Sequence, residues 1–222
     1  MRARNEAETV SHTTIYTYVN ASPTLRPKLR RRGKKYLVRT GPKAVKGPIK
    51  NRVSIRLRPK EVEEKQRIGD VEVDTMVGAK HRGAIVTIVD RRSKLVRLCL
   101  IKYKTAAATA DALITALAPI KRHLHTITSD NGAEFADHEE VSAALGVGFF
   151  FADPYCSWQR GLNENTNGLI RQYFPKGTDF SKITNRQILH VEQRLNNRPR
   201  KTLGYRTPNE VFSVLTALDR SF

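Results

Sequence analysis

Hydrophobic and polar residues begin to alternate at Asp70. Val71, Val73, Thr75 and Val77 fall on one side, and Asp70, Glu72, Asp74 and Met76 on the other. A period of two predicts a strand over 70–77. The span 78–83 reads as a hairpin connection. Two β-rich runs follow, 84–90 and 95–101, around the turn Arg91-Arg92-Ser93-Lys94. Thr105 then caps a helix whose stripe is Ala106, Ala110, Leu113, Ile114 and Leu117, and Pro119 stops it. A short strand at 125–129 ends at Asp130, and Asn131-Gly132 is a turn signal. Asp137 starts a helix that Gly146 ends. A buried strand follows at 147–152. Residues 162–173 repeat at helical spacing, with Leu162, Thr166, Leu169, Ile170 and Tyr173 on the inner face. A further helix spans 185–196, and Thr207, Pro208 and Glu210 carry the start signals of a last one.

This order of three strands, helix, strand, helix, strand and helices predicts an α/β fold: a mixed sheet with helices on its faces. Before Asp70 the pattern fades. Ser11 caps a short helix with Ile15, Tyr16 and Val19 on one face, too short to stand alone. Eight prolines and glycines then punctuate residues 21–60, which read as a linker or extended arm.

Charge changes this picture. The 222 residues carry 40 Lys+Arg against 21 Asp+Glu, a net of +19. Residues 1–67 hold 19 of the basic residues and 5 of the acids, a net of +14. Arg30, Arg31, Arg32, Lys34 and Lys35 are the densest run and the candidate contacts to a DNA backbone. The two cysteines, Cys99 and Cys156, form no C-x-x-C pair, which argues against a cysteine zinc site. No apolar run reaches membrane length and no signal peptide is readable. A soluble cytoplasmic protein without a membrane partner is expected.

Candidate chemistry lies at strand ends. Asp74 is near the end of the first strand and Asp130 follows the fourth, where sites of such sheets gather. Asp70, Glu72 and Asp74 share a face, so a metal or basic side chains must compensate them. On a helical wheel set at Leu162, Glu164 falls at about 200°, opposite the apolar stripe and beside Arg171 and Gly168. The wheel alone favours a solvated glutamate paired loosely with Arg171. Glu134 reads as a helix start or a support for Asp130. Trp158 reads as a packing residue, with stacking on DNA the lesser alternative.

Longer motifs add a resemblance. Asp130-Asn131-Gly132-Ala133-Glu134-Phe135 and Asp153-Pro154-Tyr155 precede Trp158-Gln159-Arg160-Gly161-Leu162-Asn163-Glu164-Asn165-Thr166-Asn167-Gly168. Arg171-Gln172-Tyr173-Phe174-Pro175-Lys176-Gly177 follows, and Leu195-Asn196-Asn197-Arg198-Pro199 lies further on. Together they resemble bacterial insertion-sequence transposases of the insertion sequence thirty family, over roughly 11–212. The resemblance implies an integrase-type, ribonuclease H-like core. It implies a D-D-E triad of Asp74, Asp130 and Glu164 holding two Mg²⁺ ions, with Mn²⁺ able to substitute. Thirty-three residues separate Asp130 from Glu164, the interval characteristic of the family.

The implied reaction is cleavage and transfer of DNA strands. The partners are element ends and target DNA, with a homo-oligomer in the synaptic complex. Asn167, Arg171 and Lys176 are candidate DNA contacts. Val71 and Val73 stand where the family usually has Trp and Gly, and Asp70 and Glu72 are the alternates to Asp74. The expected division is a remnant of a helix-turn-helix at 1–20, a basic arm at 21–65 and the core at 66–222. Only residues 10–19 resemble that helix-turn-helix, so the chain reads as a fragment or a truncated copy. The alternatives are a catalytically idle DNA-binding remnant and, after it, a free metal-dependent nuclease.

Overall fold

The computed structural model describes residues 10–29, 49–154 and 156–218. Two compact units divide the chain, Met1–Val45 and Lys46–Phe222. In the first, α1 spans His12–Ala21, and the Ser11 hydroxyl accepts the Thr14 N–H at 3.1 Å. None of its residues is buried. Arg30, Arg31, Arg32, Lys34 and Lys35 lie outside the described residues.

The second unit opens with a one-turn helix, α2 at Glu61–Glu64, and then the strand β1 at Asp70–Val77. The strands β2 at Ala84–Asp90 and β3 at Val96–Ile101 continue as an antiparallel meander. The helix α3, Ala106–Leu117, starts at Thr105, whose hydroxyl accepts the Ala108 N–H. Next come β4 at Thr126–Ser129, α4 at His138–Leu145 and β5 at Gly148–Phe151. The helices α5 at Gly161–Ile170, α6 at Asn185–Asn196 and α7 at Pro208–Leu218 complete the unit.

The sheet order is β3-β2-β1-β4-β5, with β4 parallel to β1 and β5 parallel to β4. Gly69 makes the β1–β4 pairing possible. Its φ is +88°, and a Cβ there would stand 1.6 Å from the His123 carbonyl oxygen. Only glycine lets the chain leading into β4 come so close.

The alternation in β1 divides the interior in two. Val71 and Val73 face one cluster with Val86, Ile88, Leu113 and Leu117, covered by α3 and α4. Met76 faces the other with Ile85, Val89, Leu169, Ile170 and Leu195, covered by α5 and α6. The three-layer mixed sheet is the expected class.

Within the linker or extended arm expected at 21–65, residues 49–65 pack on the second unit. Ser54 bridges Phe151 in parallel, and the Phe151 N–H donates to the Val53 carbonyl at 2.9 Å. This stretch adds to the open edge of β5, which needs hydrogen bonds and no hydrophobic period. Ile55 and Val62 are buried. The buried Arg58 donates to Thr128 Oγ1 at 2.8 Å and pairs with Glu63. Arg52 donates to Asn131, and Arg56 pairs with Asp153 at 3.1 Å. The stretch thereby holds the loops that follow β4 and β5.

Candidate active site

Two carboxylates meet where β1 and β4 lie side by side. Asp70, Val71 and Glu72 pair in parallel with Thr126, Ile127 and Thr128. Carried two residues further, that register sets Asp74 beside Asp130. Burial pushes the Asp74 carboxyl above the ordinary aspartate range; Arg160 opposes the rise and the negative charge of Asp130 adds to it. Asp74 is held on both oxygens. Oδ1 accepts the Thr75 N–H at 2.8 Å, and Oδ2 accepts the Asn167 amide, also at 2.8 Å. Asp130 Oδ1 accepts the Gly132 N–H at 2.9 Å, which closes the Asp-Asn-Gly loop as an Asx turn.

Arg160 stands between the two acids. Its Nη1 is 3.8 Å from Asp74 Oδ1, and its Nη2 is 3.3 Å from Asp130 Oδ2. Nη1 also donates to the Val73 carbonyl at 3.3 Å. The guanidinium is buried and its Nε has no hydrogen-bond partner among the described residues. Sequence reading passed over Arg160. The signal was present, since it sits just ahead of the helix carrying Glu164 and β1 demanded positive compensation.

The compensation of β1 comes from arginines. Asp70 is bound by Arg67 at 2.9 Å and by Thr126 Oγ1 at 2.7 Å. Glu72 is bound by Arg91 at 2.7 Å and accepts the Asn163 N–H at 3.3 Å. Both alternates to Asp74 are therefore committed to structural pairs. Glu134 is buried, 2.6 Å from Lys104 Nζ, and accepts the Thr75 hydroxyl at 2.7 Å. A Cβ on Gly132 would come within 2.5 Å of its carboxylate. Glu134 is the floor of the Asp130 loop.

The helix α5 turns a more polar face inward than its apolar stripe suggests. Asn163 is buried with Thr166, Leu169 and Ile170, while Leu162 is half-buried. Asn167, a candidate DNA contact, donates to Asp74. Glu164 is exposed, and no hydrogen bond or ion pair joins it to Asp74 or Asp130 among the described residues. It lies one turn before Asn167 on the same helix, about 60° away round the axis. Arg171, the other expected DNA contact on α5, reaches the Val77 carbonyl at 3.3 Å and lies over the Phe180 ring at 5.5 Å. It ties α5 to the end of β1. Lys176 is exposed, and so is Trp158, at 73%. Trp158 is not the packing residue the sequence suggested.

Hard cations take oxygen donors, and the paired carboxylates of Asp74 and Asp130 are such donors. Asn167 Oδ1 adds an orphaned buried oxygen beside them, placed to accept from a cation's water ligands. The fit extends to two carboxylates. Among the described residues, no three His, Cys, Asp or Glu side chains gather closely enough to hold an ion.

The chain is 51% identical over 210 residues to the transposase for insertion sequence element IS4351 of Bacteroides fragilis, covering 93% of this chain and 64% of that protein. Over most of its own length the chain is thus similar to insertion-sequence transposases. The transposase for IS1086 of Cupriavidus metallidurans is 40% identical over 218 residues, 94% of this chain and 63% of the relative. Transposase InsI for IS30A of Escherichia coli is 39% identical over 171 residues, 77% of this chain and 44% of the relative. The chain thus spans between under half and just under two thirds of the length of these curated relatives. No protein-family model matches it.

Among solved structures, the catalytic core domain of BIV integrase superimposes with a TM-score of 0.51 at 22% identity. It covers 68% of this chain and 98% of that one. A simian T-cell lymphotropic virus intasome, solved with PP2A regulatory subunit B56 gamma, gives 0.53 at 16% identity, covering 90% of this chain and 66% of that one. These likenesses show the fold, that of integrase catalytic cores, which is ribonuclease H-like.

Proposed function

We propose that this chain is the catalytic part of a transposase that cuts and joins DNA strands at a divalent-metal site on Asp74 and Asp130, completed by Glu164. The observation that carries the reading is that Asp74 on β1 and Asp130 just after β4 meet at one guanidinium, Arg160, and feel each other's charge, in a chain 51% identical to a transposase. The chemistry a bound Mg²⁺ or Mn²⁺ supplies is activation of the attacking water or 3′-hydroxyl and stabilisation of charge on the attacking and leaving oxygens. Asp74 and Asp130 would hold it. The Thr75 N–H and the Asn167 amide orient Asp74 for that task, and the Gly132 N–H orients Asp130. Glu164, one turn before Asn167 on α5, would complete the set by turning its side chain toward the pair.

The partners are DNA at the element ends and at the target, with a homo-oligomer bringing the two ends together. The basic run Arg30–Lys35 holds the DNA backbone without regard to sequence, and Lys176 adds to the contact. The chain works in the bacterial cytoplasm at the nucleoid. Among the described residues no helix is long and apolar enough to cross a membrane.

The exposure of Glu164 favours a second reading, a chain that binds DNA and does not cut it. One assay separates the two: Mg²⁺-dependent cleavage and strand transfer on DNA carrying the element's ends. Wild type should cut, and Asp74→Asn should not. Glu164→Gln should lose about 10³-fold in rate, equivalent to ~4 kcal/mol of transition-state stabilisation, with DNA binding retained. Wild-type-like cutting by Glu164→Gln removes that residue from the site. Inert wild-type protein that still binds DNA establishes the second reading.

A further inference from the structure

A cavity of about 620 Å³ opens beside Glu72, within the size range of small-ligand sites. Glu72 and Asp74 are two residues apart on one face of β1, so the cavity lies roughly 7 Å along the strand from the acid pair. Its walls come from the end of α2, the β2–β3 turn, the start of α5 and the loop after α6.

The charges lining it do not balance. Lys65, Arg91, Lys94 and Arg200 face Glu63 and Glu72. Arg91 closes on both carboxylates, at 2.7 Å to Glu72 and 2.9 Å to Glu63. No ion pair holds Lys65 or Lys94 among the described residues, and the Lys94 ammonium donates to the Arg91 carbonyl. Burial, and then the nearby charge of Lys65, hold the Lys94 ammonium below the ordinary lysine range. Glu72 and Asp90 oppose that shift without cancelling it, so an anion in the cavity would add to a compensation that is incomplete.

The rim is aromatic. Trp158, the single tryptophan of the chain, lines the cavity and is 73% exposed. An indole held in water beside a cationic recess offers a flat face to a planar ring. Asn165 and Thr202 add hydrogen-bonding groups to the same walls. A phosphate with a planar heterocycle attached is a nucleotide.

We propose that this cavity takes one unpaired nucleotide of the DNA strand crossing the Asp74–Asp130 pair, with its base stacked on Trp158 and its phosphate held by Lys65 and Lys94. The proposal rests on the DNA-processing reading and adds a requirement for unstacked DNA next to the reacting phosphate. A paired base has both faces covered by its neighbours and cannot enter such a recess, whereas stacking on an aromatic side chain accepts any unpaired base. The recess therefore selects single-stranded or frayed DNA without reading its sequence.

The lone tryptophan makes the test direct. The full chain is titrated with a twelve-residue oligothymidylate and with a duplex of the same length, following anisotropy of labelled DNA and intrinsic fluorescence together. Saturating single-stranded DNA should quench Trp158 by more than about half and shield it from acrylamide, and duplex should do neither, because only an unpaired base stacks. Trp158→Ala should weaken binding of the single strand about tenfold and of duplex less than twofold. Because Trp158 is exposed, its circular dichroism and melting should match wild type. Lys65→Ala with Lys94→Ala should lower the salt dependence of single-strand binding by about two phosphate contacts. Oligothymidylate that binds without altering the fluorescence overturns the proposal, and so does a Trp158→Ala variant with wild-type affinity. Either result leaves DNA cutting intact as a reading. Failure of both DNAs to bind overturns the proposal and the DNA-processing reading together.

Discussion

The guanidinium of Arg160 stands 3.3 Å from the carboxylate of Asp130 and 3.8 Å from that of Asp74. A single positive charge thus sits where the site would receive a divalent one. The two compete for the same oxygens. Arg160→Gln should bind Mn²⁺ about tenfold more tightly, a gain of ~1.4 kcal/mol, as read by calorimetry. Without metal, the same variant should be less stable by about 1–3 kcal/mol, since two neighbouring carboxylates lose their shared partner. Mn²⁺ should restore that loss. Weaker Mn²⁺ binding by Arg160→Gln would make the arginine a scaffold for the acids and not a competitor.

Glu134 gives a pH signature. Burial pushes its carboxyl up, but the bonds from Lys104 and Thr75, a backbone N–H and the charge of Lys104 together hold it below the ordinary value of 4.5. Its folded-state value is lowered, so its contribution is complete above 4.5 and fades as pH falls through the folded value. Glu134→Gln should be less stable at neutral pH by about 1–2 kcal/mol, because Lys104 loses its partner. The gap to wild type should shrink on acidification. Chemical denaturation between neutral pH and pH 3 measures it, and a gap that stays constant would refute the assignment.

Much of this was legible in the sequence because it follows from periodicity. The alternation from Asp70 gave β1 its limits and its two faces, and the Gly78–Gly83 connection and the Thr105 cap appear where they were expected. Residues 49–65 were illegible for a physical reason. A chain that docks through backbone bonds to an open strand edge leaves no hydrophobic rhythm, and Ile55 and Val62 are too far apart to form one. The inner face of α5 was drawn too narrowly because Asn163 and Asn167 are polar and yet turned inward. The acids near the site were visible as residue types, but pairing was not. Nothing in the order of residues says that Asp70 is taken by Arg67 and Glu72 by Arg91, while Asp74 keeps an acid for a neighbour.

Gly132→Ala probes the loop that aims Asp130. The added Cβ meets the Glu134 carboxylate at 2.5 Å, and Lys104 and Thr75 keep that carboxylate from yielding. Destabilisation of about 1–3 kcal/mol is expected, together with weaker Mn²⁺ binding. Adding Glu134→Ala removes the obstacle, so the double variant should lose less than the sum of the two single changes in a double-mutant cycle. Additive losses would show that the clash is not the cause.

Arg171→Ala should separate packing from DNA contact. The side chain reaches the carbonyls of Val77, Phe174 and Pro175, so its loss should reduce stability by about 1–2 kcal/mol and leave the salt dependence of DNA binding unchanged. Lys176→Ala should do the reverse. A salt slope lowered by Arg171→Ala would return that residue to the DNA contacts.

The acid pair is made by a hydrogen-bonded ladder and not by the chain that runs between its members. Three parallel pairings from Asp70–Thr126 to Glu72–Thr128 fix the separation of Asp74 and Asp130. The 55 residues that intervene in sequence are a detour: out through the meander, over α3 and back. Its length is free to drift. Extra residues at the Arg91–Lys94 turn or between α3 and β4 would lengthen the journey without moving its ends. Such a scaffold can acquire new loops over generations while the spacing of its two acids stays within the tolerance of one strand pairing.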